Sequence, residues 1–335
     1  MDHQTTVSVV IPTFNCAAYL AEAVQSVLAQ SRPPDEIIVV DDGSTDGTAA
    51  VVAGFGDRVL YVRQANAGVA VARNTGFARA TGEFIAFLDA DDFWDREKLA
   101  LQLAVMTHYP RVDLVCADFW LAGDARRESY IKQKYRVFGV YGLDWPGIFR
   151  SRTRVPDTTV DLWVGRVFGA LFLGNFINTS SVLMRRRVCD QIGFFSPRMQ
   201  TQEDYDYWLR FSKFADYALI DRPLLAFRQR PNQLTAPHQK LRIAQDVLTV
   251  IEGAAADAAR VLPPSLVAER LSERHAAVAV ALIAGRQRPR ARRALQRAFA
   301  HRPLSLYASA LLVWSFMPSG VGALLRRIVT SVRLP

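Results

Sequence analysis

Between residues 7 and 118, short β-branched runs alternate with longer stretches carrying Ala, Leu and Val at helical spacing, and this alternation limits the fold more than any other feature of the chain. The strand-like runs are residues 7–12, 36–41, 59–63, 83–89 and 112–116; helical periodicity occupies 17–30, 48–55, 69–80 and 97–109. Successive strand–helix–strand units lay strands in parallel, so the pattern predicts an α/β domain with a mainly parallel sheet covered by helices on both faces. In such sheets ligands bind beyond the C-terminal strand ends. There the chain turns polar: Pro12-Thr13-Phe14-Asn15 follows the first run, Asp41-Asp42-Gly43-Ser44 the second, and Asp89-Ala90-Asp91-Asp92 the fourth.

Asp89, Asp91 and Asp92 put three carboxylates within four positions, and strand alternation sets Asp89 and Asp91 on one face. Carboxylates at such range repel, and a hard divalent cation, Mg²⁺ or Mn²⁺, sharing phosphate oxygens of a nucleotide diphosphate relieves the repulsion. The plain alternative is a solvated turn capping the helix that begins near Arg96. The second acidic turn, residues 41–48, at another strand end of the same sheet favours a site. Asp42, Ser44, Asp46 and Gly47 follow the start of a calcium-loop pattern, but its twelfth position is Ala53, where a bidentate Glu is required. No GxGxxG turn is present, which argues against a dinucleotide cofactor.

Four segments in order, VSVVIPTFN at 7–15, EIIVVDDGSTDGT at 36–48, GVAVARNTG at 68–76 and GEFIAFLDADD at 82–92, resemble the family 2 glycosyltransferases with the GT-A fold, a Rossmann-like α/β architecture. The resemblance covers residues 7–230, most strongly the first hundred. It implies that Pro12, Thr13 and Asn15 line a nucleotide pocket, that Asp42 contacts the base, and that Arg73 and Asn74 stand on the pocket wall. Asp89-Ala90-Asp91 resembles the DxD motif, with Asp89 contacting the nucleotide sugar and Asp91 binding Mg²⁺ or Mn²⁺. Residues 202–210, QEDYDYWLR, resemble the family's ED segment, whose Asp is the general base; this makes Asp204 the expected catalytic residue and Glu203 a group that orients it or the acceptor. Read alone, that segment is an acidic first turn complementing a helix dipole. After the strand-like residues 217–227 the family often carries an arginine-x-histidine pattern, where this chain has Arg228-Gln229-Arg230.

Residues 130–161 read as irregular and yield no mechanism. Beyond about residue 234 the sequence becomes Ala-, Leu- and Arg-rich with helical periodicity, punctuated by Pro263-Pro264 and Pro289. The expected organisation is a catalytic domain over 1–233 and a helical, basic appendage over 234–335. From Arg286 onward there are ten arginines and no acidic residue, and residues 303–325 carry no charge. This combination suits an interfacial helix on an anionic membrane as well as a helical hairpin packed on the domain; Pro318, Gly320 and Gly322 disfavour a spanning helix. Without interleaved aromatics or a reading module, no nucleic acid partner is expected. Cys16, Cys116 and Cys189 form no CxxC pair, and the N-terminal residues lack a basic region followed by an apolar run, so the expected location is the cytoplasm, peripheral to the inner membrane face.

The expected activity is transfer of a sugar, with inversion, from a nucleoside-diphosphate sugar to a hydroxyl of a glycan or lipid-linked acceptor in cell-surface polysaccharide synthesis. Alternatives are a non-catalytic sugar-nucleotide-binding scaffold and a nucleotidyltransferase.

Overall fold

The computed structural model describes residues 5–130, 145–149, 151–230 and 239–316. The chain divides into two compact units, 1–230 and 231–335. In the first, β1 (Val7–Thr13), α1 (Ala17–Leu28), β2 (Glu36–Asp41), α2 (Thr48–Ala53), β3 (Leu60–Arg63), α3 (Val69–Arg79), β4 (Phe84–Phe87) and β5 (Phe93–Trp94) lead to α4 (Lys98–His108) and β6 (Val112–Leu121). Then come α5 (Trp145–Ile148), β7 (Ser151–Arg154), β8 (Asp161–Gly165), α6 (Phe168–Leu173), β9 (Leu183–Arg185), α7 (Arg186–Ile192), α8 (Glu203–Ser212) and β10 (Asp216–Phe227).

The strands form one sheet in the order β3-β2-β1-β4-β9-β6-β10-β8-β7, with β5 paired to β10. The β3-β2-β1-β4 half is wholly parallel, and every residue of β1 and β4 is buried. That burial explains why their sequences run apolar instead of alternating. β9 enters antiparallel between β4 and β6, while β10 lies parallel to β6 as far as the pair Phe227–Leu121. The match to β10 carries β6 five residues past the apolar run seen in sequence.

One local expectation needs correction. Residues 130–161 are not irregular throughout: β7 pairs antiparallel with β8 at the sheet edge. β7 is Ser-Arg-Thr-Arg and mostly exposed, the charged edge strand that blocks further pairing, and therefore it carries no apolar signal. Farther along, a 3-10 turn at Thr179–Ser181 leads into β9.

Gly76 sits where α3 crosses β1. A Cβ built there would lie 2.2 Å from Cγ1 of the buried Val10, so the last glycine of the GVAVARNTG segment is a packing requirement. Gly76→Ala is expected to lower stability by about 1–3 kcal/mol, read as a reduced urea midpoint with unchanged slope.

The second unit contains α9 (Lys240–Ala258), α10 (Pro264–Ala284), α11 (Arg288–His301) and α12 (Leu306–Phe316). Proline stands in the first turn of α10 and of α11, where no backbone N–H is needed. Ala279, Leu282, Ala291, Leu295, Ala298 and Leu311 form its core. Opposite that core, Arg290, Arg293 and Arg297 of α11 face solvent. No helix among the described residues is long and apolar enough to cross a membrane; residues 317–335, the remainder of the expected interfacial tail, lie outside the described residues.

His275 is buried in this unit, stacked on His301 with ring centroids 5.4 Å apart and with Nε2 3.3 Å from Glu252. Burial, with His301 and Arg297 adding to it, depresses its pKa to about 4. A depressed histidine binds its proton less readily when folded, so its contribution to stability is intact above about pH 6.5 and is lost as pH falls toward 4. The decline of Tm from pH 7 to pH 4 is expected to be steeper in wild type than in His275→Gln.

Candidate active site

The C-terminal ends of the adjacent strands β2, β1 and β4 bring Asp41-Asp42, Pro12-Thr13 and Asp89 to one sheet edge. Pro12 is buried opposite Val40. Thr13 is 3% exposed, and its hydroxyl is buried with no hydrogen-bond partner among the described residues. Asn15, at φ 50°, accepts a 2.8 Å hydrogen bond from Thr45 N on Oδ1, while its own N–H donates to Ser44 Oγ at 2.9 Å. It therefore buttresses the 41–48 turn.

That turn satisfies its own carboxylates. Asp41 accepts from Ser44 N at 2.8 Å and Tyr61 OH at 2.5 Å; Asp46 accepts from Ala17 N and Thr48 N at 3.0 Å. Asp42 is buried, and its two oxygens accept from Gln64 Nε2 at 2.7 Å, Ala67 N at 2.9 Å and Gly68 N at 2.8 Å. The residue that the resemblance aligns with base contact thus shapes the loop 64–68 into α3. Gly43, at φ +81° with Asn66 N only 2.9 Å from a built Cβ, permits the close approach of the two loops.

Arg73 joins the motifs that lie far apart in sequence. Its side chain is 4% exposed; Nη2 donates to Asp89 Oδ1 at 2.7 Å and Nη1 to Glu203 Oε1 at 2.5 Å. The guanidinium also lies over the Phe195 ring at 5.6 Å. Burial works against its charge, but Asp89, Glu203 and Asp204 outweigh burial and hold the guanidinium above its ordinary pKa. Glu203, expected to orient the acceptor or Asp204, is the partner of Arg73. Asn74 is one step further along α3: its Nδ2 donates to Phe195 O and its Oδ1 accepts from Phe195 N, both at 2.9 Å. With both ends of its amide occupied by main chain, Asn74 clasps the Phe195 segment to α3.

Asp204 opens α8 beside this pair. Its Oδ1 accepts from Tyr205 N at 2.7 Å and its Oδ2 from Thr179 Oγ1 at 3.1 Å. Burial pushes the carboxyl above its ordinary pKa, against Arg73 and these two donors. Burial also raises Glu203, to about 7, with Arg73 opposing and Asp204 adding. Asp206 is spent on Arg210 at 2.9 Å, and Trp208 is fully buried.

Thr179 and Ser180 stand in none of the motifs and escaped the sequence reading. Ser180 Oγ accepts from Asp89 N at 3.0 Å and donates to Asp92 Oδ2 at 2.8 Å, while Trp94 Nε1 donates to Ser180 O at 2.7 Å. The 3-10 turn thus ties both ends of the acidic cluster to Asp204. Three successive hydroxyl residues ahead of a short central strand were the available signal.

Asp91 faces Arg230, whose Nε donates to Asp91 Oδ2 at 2.6 Å. Burial and the charge of Asp89 push the Asp91 carboxyl up, with Arg230 opposing; burial, Asp89 and Asp91 push Asp92 well above its ordinary value. Such crowded hard oxygen donors suit Mg²⁺ or Mn²⁺. Among the described residues no three His, Cys, Asp or Glu converge to enclose an ion, so an ion at Asp91 would need ligands from a bound diphosphate and water. An open cleft of about 770 Å³, lined by Glu97, His108, Tyr109, Arg154 and Arg222 among others, shares no residue with the cluster.

Comparison with known proteins places this geometry. Residues 8–168 match the family described as Glycosyl transferase family 2. An uncharacterized glycosyltransferase of Rickettsia felis is 42% identical over 229 residues, 68% of this chain and 35% of its own length. TuaG of Bacillus subtilis, a glycosyltransferase named for teichuronic acid biosynthesis, is 45% identical over 105 residues, 30% of this chain and 41% of its own length. The chain thus spans well under two thirds of either relative. Among solved structures, S. aureus TarS residues 1–349 in complex with UDP-GlcNAc align over 98% of this chain and 91% of that one, with TM-score 0.63 and 18% identity. The mannosyltransferase PcManGT of Pyrobaculum calidifontis, in complex with GDP-Man and Mn²⁺, aligns over 98% and 84% with TM-score 0.54 and 22% identity. The motif segments, the sheet order and these likenesses agree: residues 8–168 match glycosyl transferase family 2, and the fold is the GT-A fold of the solved neighbours.

Proposed function

We propose that this protein transfers a sugar, with inversion, from a nucleoside-diphosphate sugar to a hydroxyl of a glycan or lipid-linked acceptor in cell-surface polysaccharide synthesis. The observation that supports this reading best is the bridge at Arg73, which holds Asp89, at the end of β4, and the Glu203-Asp204 pair at one place. A donor site and a proton acceptor must lie that close for direct displacement. The sugar nucleotides in the TarS and PcManGT complexes lend support, as does the name of TuaG.

In this reading Asp204 accepts the proton of the acceptor hydroxyl, whose oxygen attacks the anomeric carbon. The bond to the diphosphate oxygen breaks with its electron pair leaving on the diphosphate, and single displacement inverts the centre. Arg73 holds the Asp89 and Glu203 side chains in place through its two ion pairs. Ser180 holds the β4 end in register, and the orphan hydroxyl of Thr13 is a donor that a polar ligand would complete. Bound at Asp91, Mg²⁺ or Mn²⁺ would supply positive charge for the diphosphate.

The second unit offers a surface for an anionic bilayer. Leu304 is 92% exposed, Leu306 88%, Val313 55% and Phe316 62%, next in chain to the arginine face of α11. Apolar side chains beside a row of cations suit insertion at a negatively charged interface. Co-sedimentation with phosphatidylglycerol vesicles, but not with phosphatidylcholine vesicles, is expected, and Leu304→Ser with Leu306→Ser is expected to weaken it; equal binding to both vesicle types would remove this part of the proposal.

The donor reading is tested by thermal shift with UDP, GDP and dTDP, each with Mn²⁺. One base is expected to raise Tm well above the other two. No shift with any of them, at millimolar nucleotide, would contradict the donor site.

A further inference from the structure

We propose that Arg230 is a resident competitor for the divalent cation at Asp91, displaced when a nucleoside diphosphate arrives, so that metal affinity is low in the empty protein and rises with the nucleotide. The inference rests on the donor-site reading above, and it concerns the residue that stands where the arginine-x-histidine pattern has its histidine.

At 2.6 Å from Asp91 Oδ2, the Arg230 guanidinium takes up the carboxylate oxygen nearest to it, and the pair is only partly exposed, 22% and 16%. Arginine cannot substitute for a metal ligand, since it has no acceptor and does not deprotonate. Its presence here therefore has one direct effect on a cation: a fixed positive charge sharing the same carboxylate. At this depth such repulsion is worth far more than at an exposed surface. Tyr19 lies under the guanidinium, with its centroid 5.3 Å away, and restricts where it can move. Arg228 is not equivalent. Its Nε donates to Asp91 O at 3.0 Å, its Nη2 to Glu22 at 2.6 Å and its N–H to Asp92 at 3.0 Å, so it pins the backbone turn while Arg230 addresses the carboxylate.

A diphosphate changes the balance. It offers the guanidinium planar, bidentate acceptors and offers a cation the oxygens that Asp91 alone lacks. Arg230 moving from Asp91 to phosphate frees the carboxylate oxygen as the second set of ligands appears. By linkage, nucleotide then tightens metal binding and metal tightens nucleotide binding by the same factor, and part of that factor belongs to Arg230.

Isothermal titration of Mn²⁺ and of the nucleoside diphosphate selected by thermal shift, into wild type and Arg230→Gln, tests the assignment. Without nucleotide, Arg230→Gln is expected to bind Mn²⁺ about tenfold more tightly than wild type. Without metal, in EDTA, it is expected to bind the nucleotide about tenfold more weakly. The coupling between the two ligands is expected to shrink. A variant that merely folds badly would lose both affinities, so the opposite signs are diagnostic, and Arg230→His, which restores a metal-capable side chain, is expected to bind Mn²⁺ more tightly than Arg230→Gln. Mn²⁺ affinity in Arg230→Gln equal to or below that of wild type, or no Mn²⁺ binding by either protein, would overturn the inference. Failure of every nucleotide to bind wild type contradicts the donor reading, and the metal-only titration still decides the competition at Asp91.

Discussion

Replacing Asp204 by Asn is expected to reduce kcat by about 10²–10⁴-fold while nucleoside diphosphate affinity stays near that of wild type. The amide fits the same hydrogen bonds: its oxygen can accept from Tyr205 N and its NH₂ can donate to Thr179 Oγ1, the two groups now bonded to the carboxylate. What disappears is the ability to take a proton. The pH profile carries the same signature. Burial raises the Asp204 pKa, and a base must be deprotonated to act, so the acid-side loss of activity is expected above the ordinary aspartate value of about 3.9. Steady-state nucleoside diphosphate release against pH reads both effects. Parallel losses of kcat and nucleotide affinity would instead mark Asp204 as a structural group at the head of α8.

The second large effect falls on stability. Arg73→Met is expected to destabilise the first unit by about 3–5 kcal/mol, because it strands Glu203, which is 6% exposed, and leaves Asp89 without its cation. Arg73→Lys is expected to recover only part of the loss, since one ammonium cannot make the forked contact to both carboxylates. Adding Glu203→Gln to Arg73→Met removes the stranded charge and is expected to restore stability relative to the single variant. Urea unfolding of wild type, Arg73→Met, Arg73→Lys, Glu203→Gln and the double variant measures this. Additive losses in the double variant would contradict the view that the two side chains form one buried pair.

Local signals in the sequence carried much of this fold. The runs at 7–12 and 36–41 are strands because residues buried on both faces must be apolar, and that constraint needs no knowledge of neighbours. The acidic ends at Asp42 and Asp89 were legible for the same reason, as polar residues at the stops of apolar runs. Pairing was not. β7 lacks an apolar run because it is an edge, and the length of β6 follows from its match to β10, a hundred residues later.

The site divides in the same way. Asp89, Asp91 and Asp204 stand in motifs and could be named as groups. Their arrangement depends on contacts across 130 residues between Arg73 and Glu203 and across 91 between Asp89 and Ser180, which no local pattern encodes. Asn74 shows the converse: a motif residue placed by resemblance on the pocket wall, whose amide is taken up by the main chain of Phe195.

If the Asp89–Arg73–Glu203–Asp204 cluster serves glycosyl transfer, both products can be followed from the sugar nucleotide whose base passes the thermal-shift screen, incubated with Mn²⁺ and a membrane extract as acceptor source. Nucleoside diphosphate released in step with sugar incorporated into the acceptor fraction is expected, with loss of both in Asp204→Asn. Pyrophosphate in place of nucleoside diphosphate, or tight donor binding with neither product formed, would contradict it.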